Sequence, residues 1–393
     1  MTQQLALTWQ LTEVHGWGLV GVHTCLYLAD IGAPPLLLIK PAMGTLRPEN
    51  RAKLQGLEAG FAQADALSRQ HGGKTLVLQN FNVLHALGNG FVAGPASTQF
   101  RGTRNVGVIA YEETRFDDEV LARARSYDKL VVHSAYNRRL LEDRGFTNVG
   151  VALQGVDPSE MVALPATKRF GDRFVVFSGG KMEFRKSQDI VLAAFRRFHQ
   201  RHPDALLITA WHNAWPHTAM SISESSHTKV APTIGEDGRL RIRDWAVANG
   251  VPDDAFVDLG FLGRNQIAGV LAECHAAVFP NRCEGATNLV AMEAMACGVP
   301  TILSANTGHM DLLRSDRVAG DLVLTLDQQT PVPDSDGSRE GWGESSVDEL
   351  VERLESLYSD RTAARERAAR AQQFILGERT WREFAKAFVN AVA

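Results

Sequence analysis

The amino-acid sequence predicts an α/β protein of two domains, each with a parallel sheet covered by helices on both faces. The chain has 393 residues, and because domains of about 150 to 200 residues are usual, two are expected. Short apolar runs alternate with longer helical stretches, as in repeated βα units. The stretch Ala276–Leu303 shows one such unit in full: strand, tight loop, helix and strand.

The first half opens with a predicted strand at Leu5–Trp9 and a glycine pattern before a helix. Gly16, Gly18 and Gly21 match G-x-G-x-x-G. A dinucleotide site would need an acid at the end of the second strand to hold a ribose, but Lys40 stands there, so a nicotinamide cofactor is not expected. The glycines fit two interpretations equally well: close approach of the backbone to a ligand, or a turn with close helix packing.

Polar residues follow the later strands of the first half. His85 lies in the loop expected after the third strand, and Glu112 and Glu113 come directly after the fourth. One acid is expected to be functional, while the other is solvated or paired with Arg115. The other predicted strands of this half are Leu36–Lys40, Thr75–Gln79, Asn105–Ala110, Leu130–His133 and Val149–Leu153. The predicted helices are Leu19–Asp30 and Arg51–Arg69.

The second half begins with a strand, a glycine turn and a basic cluster. Gly179 and Gly180 free the turn, and Lys181, Arg185 and Lys186 precede a helix. Cations at the start of a helix oppose its dipole, so three of them indicate a bound anion, with a solvated basic edge as the alternative. The predicted strands of this half are Phe174–Phe177, Ala205–Thr209, Val257–Leu259, Ala277–Phe279 and Val299–Leu303. The predicted helices are Arg239–Ala248 and Gln266–Cys274, and the chain between 221 and 238 is predicted to be a polar loop.

The helix after Ala277–Phe279 is apolar on nearly every side and carries one charge, Glu293. A buried carboxylate is costly unless it is paired. Glu284 lies in the loop that leads into the same helix, where helix N–H groups suit a phosphate and open α/β sheets bind ligands. The sequence thus predicts a phosphorylated, hydroxyl-rich ligand held by two glutamates and a helix end. In the alternative, Glu293 pairs with a neighbouring arginine and Glu284 is a solvated loop charge.

Composition excludes several classes of protein. The net charge of −4 gives no reason to expect nucleic acid. Four cysteines without metal spacing indicate buried thiols in a reducing compartment, so we expect a cytoplasmic protein without a signal peptide or a membrane span. Asp334 and Asp336 match D-x-D, a pattern that can hold a divalent cation, but their Pro/Gly-rich surroundings favour a solvated loop.

Three stretches in order along the chain resemble retaining glycosyltransferases of the GT-B fold, family four (glycosyl transferases group 1): QGVD, GGKMEFRKSQDIVLAAF and EGATNLVAMEAMACGVP. The resemblance covers most of the second half and, more weakly, the first. It implies two Rossmann-like domains that face each other across a cleft. We expect an acceptor domain at 1–160, a linker that reaches 173, a nucleotide-sugar donor domain at 161–373, and a C-terminal helix at 374–393 that returns to the first domain with an apolar stripe of Trp381, Phe384, Phe388 and Val392.

The resemblance also implies roles for single residues. By match, Glu284 contacts the transferred sugar, Glu293 holds the ribose hydroxyls, and Lys181 and Lys186 grip the diphosphate; the Lys181 position is usually arginine. Eight residues separate the two glutamates where the family has seven, and we expect the extra one to lie in the loop. Glu112 stands where many members carry histidine. The other implied donor-binding residues are Gly285, Ala286, Thr287, Asn288, Gly16, Gly18 and Gly180.

The implied reaction is hexosyl transfer from a nucleoside-diphosphate sugar to a glycan, lipid-linked or small-molecule acceptor, with retention at the anomeric carbon. Lys181, Lys186 and helix N–H groups would stabilise the leaving diphosphate, so no metal and no other cofactor is expected. The family also implies polysaccharide biosynthesis at the inner face of a membrane, although no long basic amphipathic face supports peripheral contact. Alternatives are a GT-B phosphorylase, a sugar-nucleotide epimerase, and a non-catalytic sugar-nucleotide-binding protein.

Overall fold

The computed structural model describes residues 4–72 and 74–393, and the chain forms two compact units. The first unit comprises the chain up to Gly155 with Asp334–Glu340 and Arg379–Ala393, and the second comprises Val156–Pro333 and Gly341–Glu378. From the sequence, the first domain was predicted to end at residue 160 and the returning C-terminal segment to begin at 374. That the segment Asp334–Glu340 belongs to the first unit was not predicted.

Packing explains where the division falls. A Cβ on Gly155 would collide with the backbone of Thr380, so this glycine fits tightly within the first unit. Val156 and Met161 are instead buried in a core cluster of the second unit.

The first unit contains a seven-stranded sheet in the order β2-β1-β3-β5-β6-β7, parallel except that β4 pairs antiparallel with β3. The sequence alternation of strands and helices therefore predicted this sheet correctly. Its elements are β1 (Gln4–Leu7), α1 (Gly16–Asp30), β2 (Leu36–Leu37), α2 (Pro48–Leu54), α3 (Leu57–Gln70), β3 (Leu76–Gly88), β4 (Val92–Ala93), α4 (Pro95–Gln99), β5 (Phe100–Ile109), α5 (Asp118–Arg125), β6 (Lys129–Val132), α6 (Ala135–Glu142) and β7 (Val149–Val151).

Two elements of the first unit differ from their sequence predictions. The third strand does not end at Gln79 but continues to Gly88, so His85 lies inside β3 and not in a loop. The strand passes through a β-bulge between Leu78 and Asn82, where Asn80 adopts a positive φ of 66°. The single helix predicted at Arg51–Arg69 is two helices, α2 and α3.

The last helix, α13 (Trp381–Val392), belongs to the first unit and buries its whole apolar stripe. Trp381 stacks on His23 of α1, with ring centroids 4.8 Å apart. Phe384 and Phe388 lie against His133. Thr380 caps the helix by accepting a hydrogen bond from the Glu383 N–H.

The segment Asp334–Glu340 is hydrogen-bonded within the first unit. The Thr114 N–H donates to the Ser338 carbonyl at 2.9 Å, and the Tyr136 hydroxyl donates to the Glu340 carbonyl at 2.6 Å. The Glu340 N–H donates to the Thr114 hydroxyl oxygen at 2.8 Å.

The second unit contains a six-stranded parallel sheet in the order β10-β9-β8-β11-β12-β13 and a small antiparallel ribbon of β14 and β15. This is the strand order of a Rossmann fold, and the direction of winding reverses between β8 and β11. Its elements are β8 (Phe174–Gly179), α7 (Gln188–His199), β9 (Ala205–Ala210), α8 (Ile242–Ala248), β10 (Phe256–Asp258), α9 (Arg264–Leu271), β11 (Ala276–Phe279), α10 (Leu289–Ala296), β12 (Thr301–Ser304), β13 (Leu324–Leu326), β14 (Gln329–Pro331), β15 (Gly343–Ser345), α11 (Val347–Ser359) and α12 (Arg361–Glu378).

The remaining differences in the second unit concern the ends of elements. The helix predicted from Arg239 begins at Ile242. A 3₁₀ turn at Pro216–Glu224 extends into the start of the polar loop that was predicted between 221 and 238. In the part of the chain that the structure describes, no helix is both long enough and apolar enough to cross a membrane.

Candidate functional site

The candidate site lies at the carboxyl ends of β8 and β11, the two central strands of the second sheet. In an open α/β sheet, ligands bind where the winding reverses, which is between these two strands. A Cβ on Gly179 would lie 2.7 Å from Cγ1 of Val290, so the end of β8 packs directly against the start of α10. Gly180 has a φ of 111°, a conformation that side-chain-bearing residues rarely adopt.

The loop after β8 carries the basic cluster predicted from the sequence. The Lys181 ammonium pairs with Glu183 at 2.7 Å, and its side chain keeps 39% of its surface exposed. Arg185 donates from Nε to the other oxygen of Glu183, at 2.9 Å. Lys186 points to Glu284, and the turn ends at Ser187 in the left-handed region with a φ of 60°.

Glu284 is buried and surrounded by donors. It is 4% exposed, and its carboxylate accepts hydrogen bonds from Lys186 Nζ and Asn281 Nδ2, with Arg185 Nη1 at 3.6 Å. Burial opposes the charge, but the ammonium of Lys186 and the guanidinium of Arg185 outweigh it and hold the pKa of Glu284 below its ordinary value. The alternative interpretation of Glu284 as a solvated loop charge is therefore wrong.

Glu293 is also buried, at 5% exposure, on α10. Its Oε1 accepts a hydrogen bond from Arg264 Nη1, so the neighbouring arginine of the alternative interpretation exists. Arg264 also binds Glu160, at 2.6 Å. No hydrogen bond to Oε2 of Glu293 is found among the described residues. Arg264 and Glu160 were not predicted from the sequence, although a single carboxylate in an apolar helix indicates a cationic partner.

A buried arginine holds the two loops together. Arg282 is 0% exposed, and both its terminal nitrogens bind Asp189 of α7, at 2.9 and 2.6 Å. Its Nε donates to Glu344 at 2.8 Å, and its Nη1 donates to the Phe184 carbonyl at 2.8 Å. A hydrogen bond from His227, opposed by burial and reinforced by Arg282, lowers the pKa of Glu344 to about 2. The sequence feature that could have indicated this ion pair is Asp189, a second single acid in an apolar helix.

The loop at 285–288 is fixed by the turn after β12. The Glu284 N–H donates to the Thr307 hydroxyl at 2.9 Å, and the Gly308 N–H donates to the Glu284 carbonyl at 3.0 Å. A Cβ on Gly308 would collide with the Ala286 carbonyl oxygen, so only glycine fits there. Asn288 adopts a φ of 64° and caps α10, since its side chain accepts a hydrogen bond from the Ala291 N–H.

The structure thus brings together one group of predicted site residues in the second unit. The cationic loop, Glu284, Gly180 and the loop that contains Gly285, Ala286, Thr287 and Asn288 meet at the ends of β8 and β11. The N–H groups in the first turn of α10 lie beside the same loop and carry partial positive charge. Buried carboxylates, cations and a helix end form a site suited to a polyanion with hydroxyl groups.

The remaining candidates lie in the first unit. A Cβ on Gly18 would collide with the Thr12 carbonyl, and one on Gly21 would lie 2.7 Å from the Trp9 ring, so close packing accounts for these glycines. Gly16 is the first residue of α1. Glu112 follows β5 as predicted and is half-buried, with its N–H donating to Asn89.

Two weaker candidates are explained by local structure. His85 is fully buried, bonds Asn105 at 3.0 Å and has its pKa lowered to about 4 by burial, so it is a core residue. Asp334 accepts hydrogen bonds from the Ser338 and Arg339 N–H groups, which is typical of an acid that shapes its own loop. Among the described residues, no group of three or more histidine, cysteine or acidic side chains is placed to hold a metal ion.

Comparisons with known proteins agree with this architecture. Residues 164–323 match the family model described as Glycosyl transferases group 1, and residues 263–388 match the model described as Family 4 Glycosyltransferase in conflict systems. No curated protein sequence matches the chain.

Several solved structures have a similar fold. Sucrose-phosphate synthase from Thermosynechococcus elongatus aligns with a TM-score of 0.64 and 15% identity over 99% of this chain and 98% of its own. HepE from Anabaena, in complex with UDP and glucose, aligns with 0.63 and 13% over 99% and 98%. A glycosyltransferase from Rickettsia africae aligns with 0.63 and 9% over 100% and 98%. The matches to the two family models cover residues 164–388 and support a family 4 glycosyltransferase of group 1, and the two parallel-sheet domains with the similar solved structures show the GT-B fold.

Proposed function

We propose that this glycosyltransferase moves a hexose from a nucleoside-diphosphate sugar to a glycan, lipid-linked or small-molecule acceptor. We further propose that the anomeric configuration is retained and that no metal ion takes part. The observation that carries the proposal is the cluster of Lys181, Arg185, Lys186, Glu183 and Glu284 at the strand ends of the second sheet.

The cluster would bind the diphosphate. Three cations face two carboxylates, which leaves one positive charge in a largely buried setting. Together with the N–H groups at the start of α10, Lys181 and Lys186 would stabilise the negative charge that grows on the departing diphosphate. That is the task that a divalent cation performs in metal-dependent transferases.

Glu284 would receive hydroxyl groups of the transferred sugar. In the structure its carboxylate binds the Lys186 ammonium, and its lowered pKa keeps it ionised at neutral pH. A diphosphate would offer Lys186 a second anion, so that Glu284 could exchange its bond to lysine for hydrogen bonds from the sugar. The pair would thereby couple binding of the phosphates to recognition of the sugar.

Glu293 would hold the ribose. Arg264 binds its Oε1 and fixes the carboxylate, while Oε2 can accept from ribose hydroxyls. Glu112, after β5, is the proposed polar group near donor or acceptor, and Gly16 and Gly18 are proposed near the donor phosphates. HepE holds UDP and glucose on a similar fold, which supports UDP-glucose as the first donor to test.

A thermal-shift screen of UDP, ADP and GDP, with and without EDTA, tests the donor site. A ligand that binds the folded state raises the melting temperature, and we expect one nucleotide family to do so regardless of EDTA. If none of the three nucleotides raises the melting temperature, the proposed site is wrong. A shift that EDTA abolishes would overturn metal independence.

Turnover of the Lys186→Met variant at saturating donor tests the leaving-group role. We expect kcat to fall about 100-fold or more, as when one preorganised charge-stabilising donor is removed. Lys168→Met, which removes an exposed lysine paired with Asp172, is the matched control. Unchanged kcat in Lys186→Met would remove the leaving-group role. An NMR spectrum of the anomeric proton of the product tests retention, and release of sugar phosphate on addition of phosphate would identify a phosphorylase instead.

A further inference from the structure

We infer that His309 is a positioning residue of the donor site. As a neutral imidazole it holds Asn288, and through Asn288 it fixes the start of α10 and the loop at 285–288. The effect on sugar transfer rests on the proposed function, whereas the state of the imidazole does not.

His309 is buried behind the loop that it would control. It lies in the 3₁₀ turn Thr307–Leu312, directly after β12, and is 0% exposed. Its Nδ1 lies 2.9 Å from the Ser304 hydroxyl oxygen, and its Nε2 lies 2.9 Å from Nδ2 of Asn288. The ring therefore bridges the end of β12 to the first turn of α10.

The hydrogen bonds around Ser304 determine which ring nitrogen carries the proton. The Ser304 hydroxyl donates its only proton to the Asn281 carbonyl, at 2.7 Å. The Nδ1–H of His309 must then be the donor to the Ser304 oxygen. A neutral imidazole has one N–H, so Nε2 is left as the acceptor for the amide of Asn288.

The charges nearby agree with a neutral ring. Burial is the main effect on the imidazole and lowers the pKa of His309 to about 4; the carboxylate of Glu284 and the ammonium of Lys186 face it and act in opposite directions. A protonated ring would direct Nε2–H at the N–H groups of Asn288, and this bond would be lost.

Asn288 connects the hydrogen bond with His309 to the loop at 285–288, which we call the donor loop. Its backbone φ of 64° is a conformation that non-glycine residues seldom adopt, so its surroundings must hold it. When Nδ2 donates to His309, Oδ1 is directed at the Ala291 N–H, which it caps at 3.3 Å. The orientation of one amide thus fixes both the helix start and the last residue of the loop.

The turn Thr307–Leu312 also binds the residue before that loop, Glu284. Thr307 and Gly308 bind the backbone of Glu284 on either side, at 2.9 and 3.0 Å. His309 completes this grip at Asn288. Among the described residues, its side chain is hydrogen-bonded to Ser304 and Asn288, and it reaches the loop at 285–288 through Asn288, which is why we assign it a positioning role.

A graded set of variants separates the two hydrogen bonds. His309→Gln reaches the Nε2 position and can still accept from Asn288, whereas His309→Asn reaches only the Nδ1 position and keeps the bond to Ser304. We expect the Kd for UDP and the KM for UDP-glucose to stay within about threefold of wild type in His309→Gln and to rise about tenfold in His309→Asn, as for one lost buried hydrogen bond. His71→Asn, at an exposed histidine, is the control.

Both variants are compared at a temperature at which circular dichroism shows them fully folded. A purely structural role would lower Tm and leave Kd and KM unchanged, and equal constants for His309→Asn and wild type would overturn the inference. Equal losses in both variants would also overturn it, because the Nε2 acceptor would then not matter.

Nitrogen-15 NMR of the imidazole tests the tautomer independently of activity. We expect a protonated Nδ1 and an unprotonated Nε2 at neutral pH. A protonated Nε2 would overturn the inference even if UDP binds. If wild type binds no nucleotide, the proposed function fails and the positioning role fails with it, while a protonated Nδ1 would still show that the tautomer is assigned correctly.

Discussion

The two units use the same architecture, a parallel sheet between helices, but they close the carboxyl ends of their strands differently. In the second unit, buried ion pairs join the loops: Arg282 to Asp189, and Lys186 to Glu284. In the first unit, the buried Glu13 in the loop after β1 accepts hydrogen bonds from the Arg47 N–H and from Asn50 at the start of α2, whereas neutral groups join the loops after β5 and β6. Tyr111 and Asn137 exchange backbone and side-chain hydrogen bonds of 3.0 and 2.8 Å.

This difference teaches where an anion-handling site can be recognised. Buried charges are costly unless they are paired, so they occur where their charge is needed or where partners enclose them completely. Glu284 and Lys186 meet the first condition in our proposal, and Arg282 with Asp189 meets the second. Neutral hydrogen bonds such as those between Tyr111 and Asn137 position backbone without supplying charge.

Replacing Arg282 with leucine should have the largest effect and would break the comparison most directly. The substitution leaves Asp189 buried without its partner, so we expect a loss of about 3–5 kcal/mol in the free energy of unfolding, measured by urea denaturation. Arg197→Met, on the same helix α7 but in a half-exposed pair with Asp348, should cost less than about 1 kcal/mol. If the two variants lose equal stability, the ion pairs of the second unit do not hold its loops.

Gly308→Ala should have an intermediate effect, confined to the donor loop. The new methyl group would collide with the Ala286 carbonyl and displace the residues after Glu284. We expect the Kd for UDP to rise at least about tenfold, equivalent to about 1.4 kcal/mol, measured by isothermal titration calorimetry. Gly269→Ala, on α9 with open space around the new methyl group, should bind UDP as wild type does. Unchanged binding in Gly308→Ala would mean that the turn after β12 does not shape the site.

The pH dependence of stability should show the smallest effect and sharpen the comparison between units. Burial lowers the pKa of His85 and His133 in the first unit, and of His309 in the second, to about 4 from an ordinary 6.5. A lowered pKa means that the stabilisation is complete above 6.5 and is lost as the pH falls towards 4. Each of these three histidines should cost about 1.4 kcal/mol between pH 7.5 and 5.5. Burial also lowers the pKa of His15 in the first unit and of His275 in the second, which adds to the loss in each, so the first unit should lose more than the second.

Native-state hydrogen exchange at the two pH values, corrected for intrinsic rates, measures this loss unit by unit. His133→Asn should reduce the loss in the first unit by about 1.4 kcal/mol and leave that in the second unit unchanged. An equal loss in both units would show that the buried histidines do not dominate the acid response.

The sequence predicted most of the second unit because its signals are local. Strand ends, glycine turns and a lone charge in an apolar helix all lie within short stretches, and the basic cluster was recognised before Glu284 was known to face it. The partners were missed because they are distant in the chain: Arg264 is 29 residues from Glu293, and Glu344 is 62 from Arg282. Pairing over such distances depends on the fold and leaves no periodic pattern.

In the first unit, the errors came from polar residues in regular structure. The third strand was expected to end at Gln79, but a β-bulge between Leu78 and Asn82 carries β3 on to Gly88. His85 was therefore placed in a loop when it lies in the core. The glycines of α1 illustrate the opposite case, since the sequence left two interpretations open and the close packing of Gly18 against Thr12 supplies a sufficient reason for one of them.

The route of the chain has a consequence for modularity. The chain leaves one unit for the other after Gly155, Pro333, Glu340 and Glu378. A gene fragment that ends at residue 155 would encode a first unit without α13, whose five buried apolar side chains would have no substitute. Exchange of donor specificity between homologous enzymes by swapping a single contiguous half would break that core. In this chain, the first unit is transferred intact only when Arg379–Ala393 accompanies the residues up to Gly155.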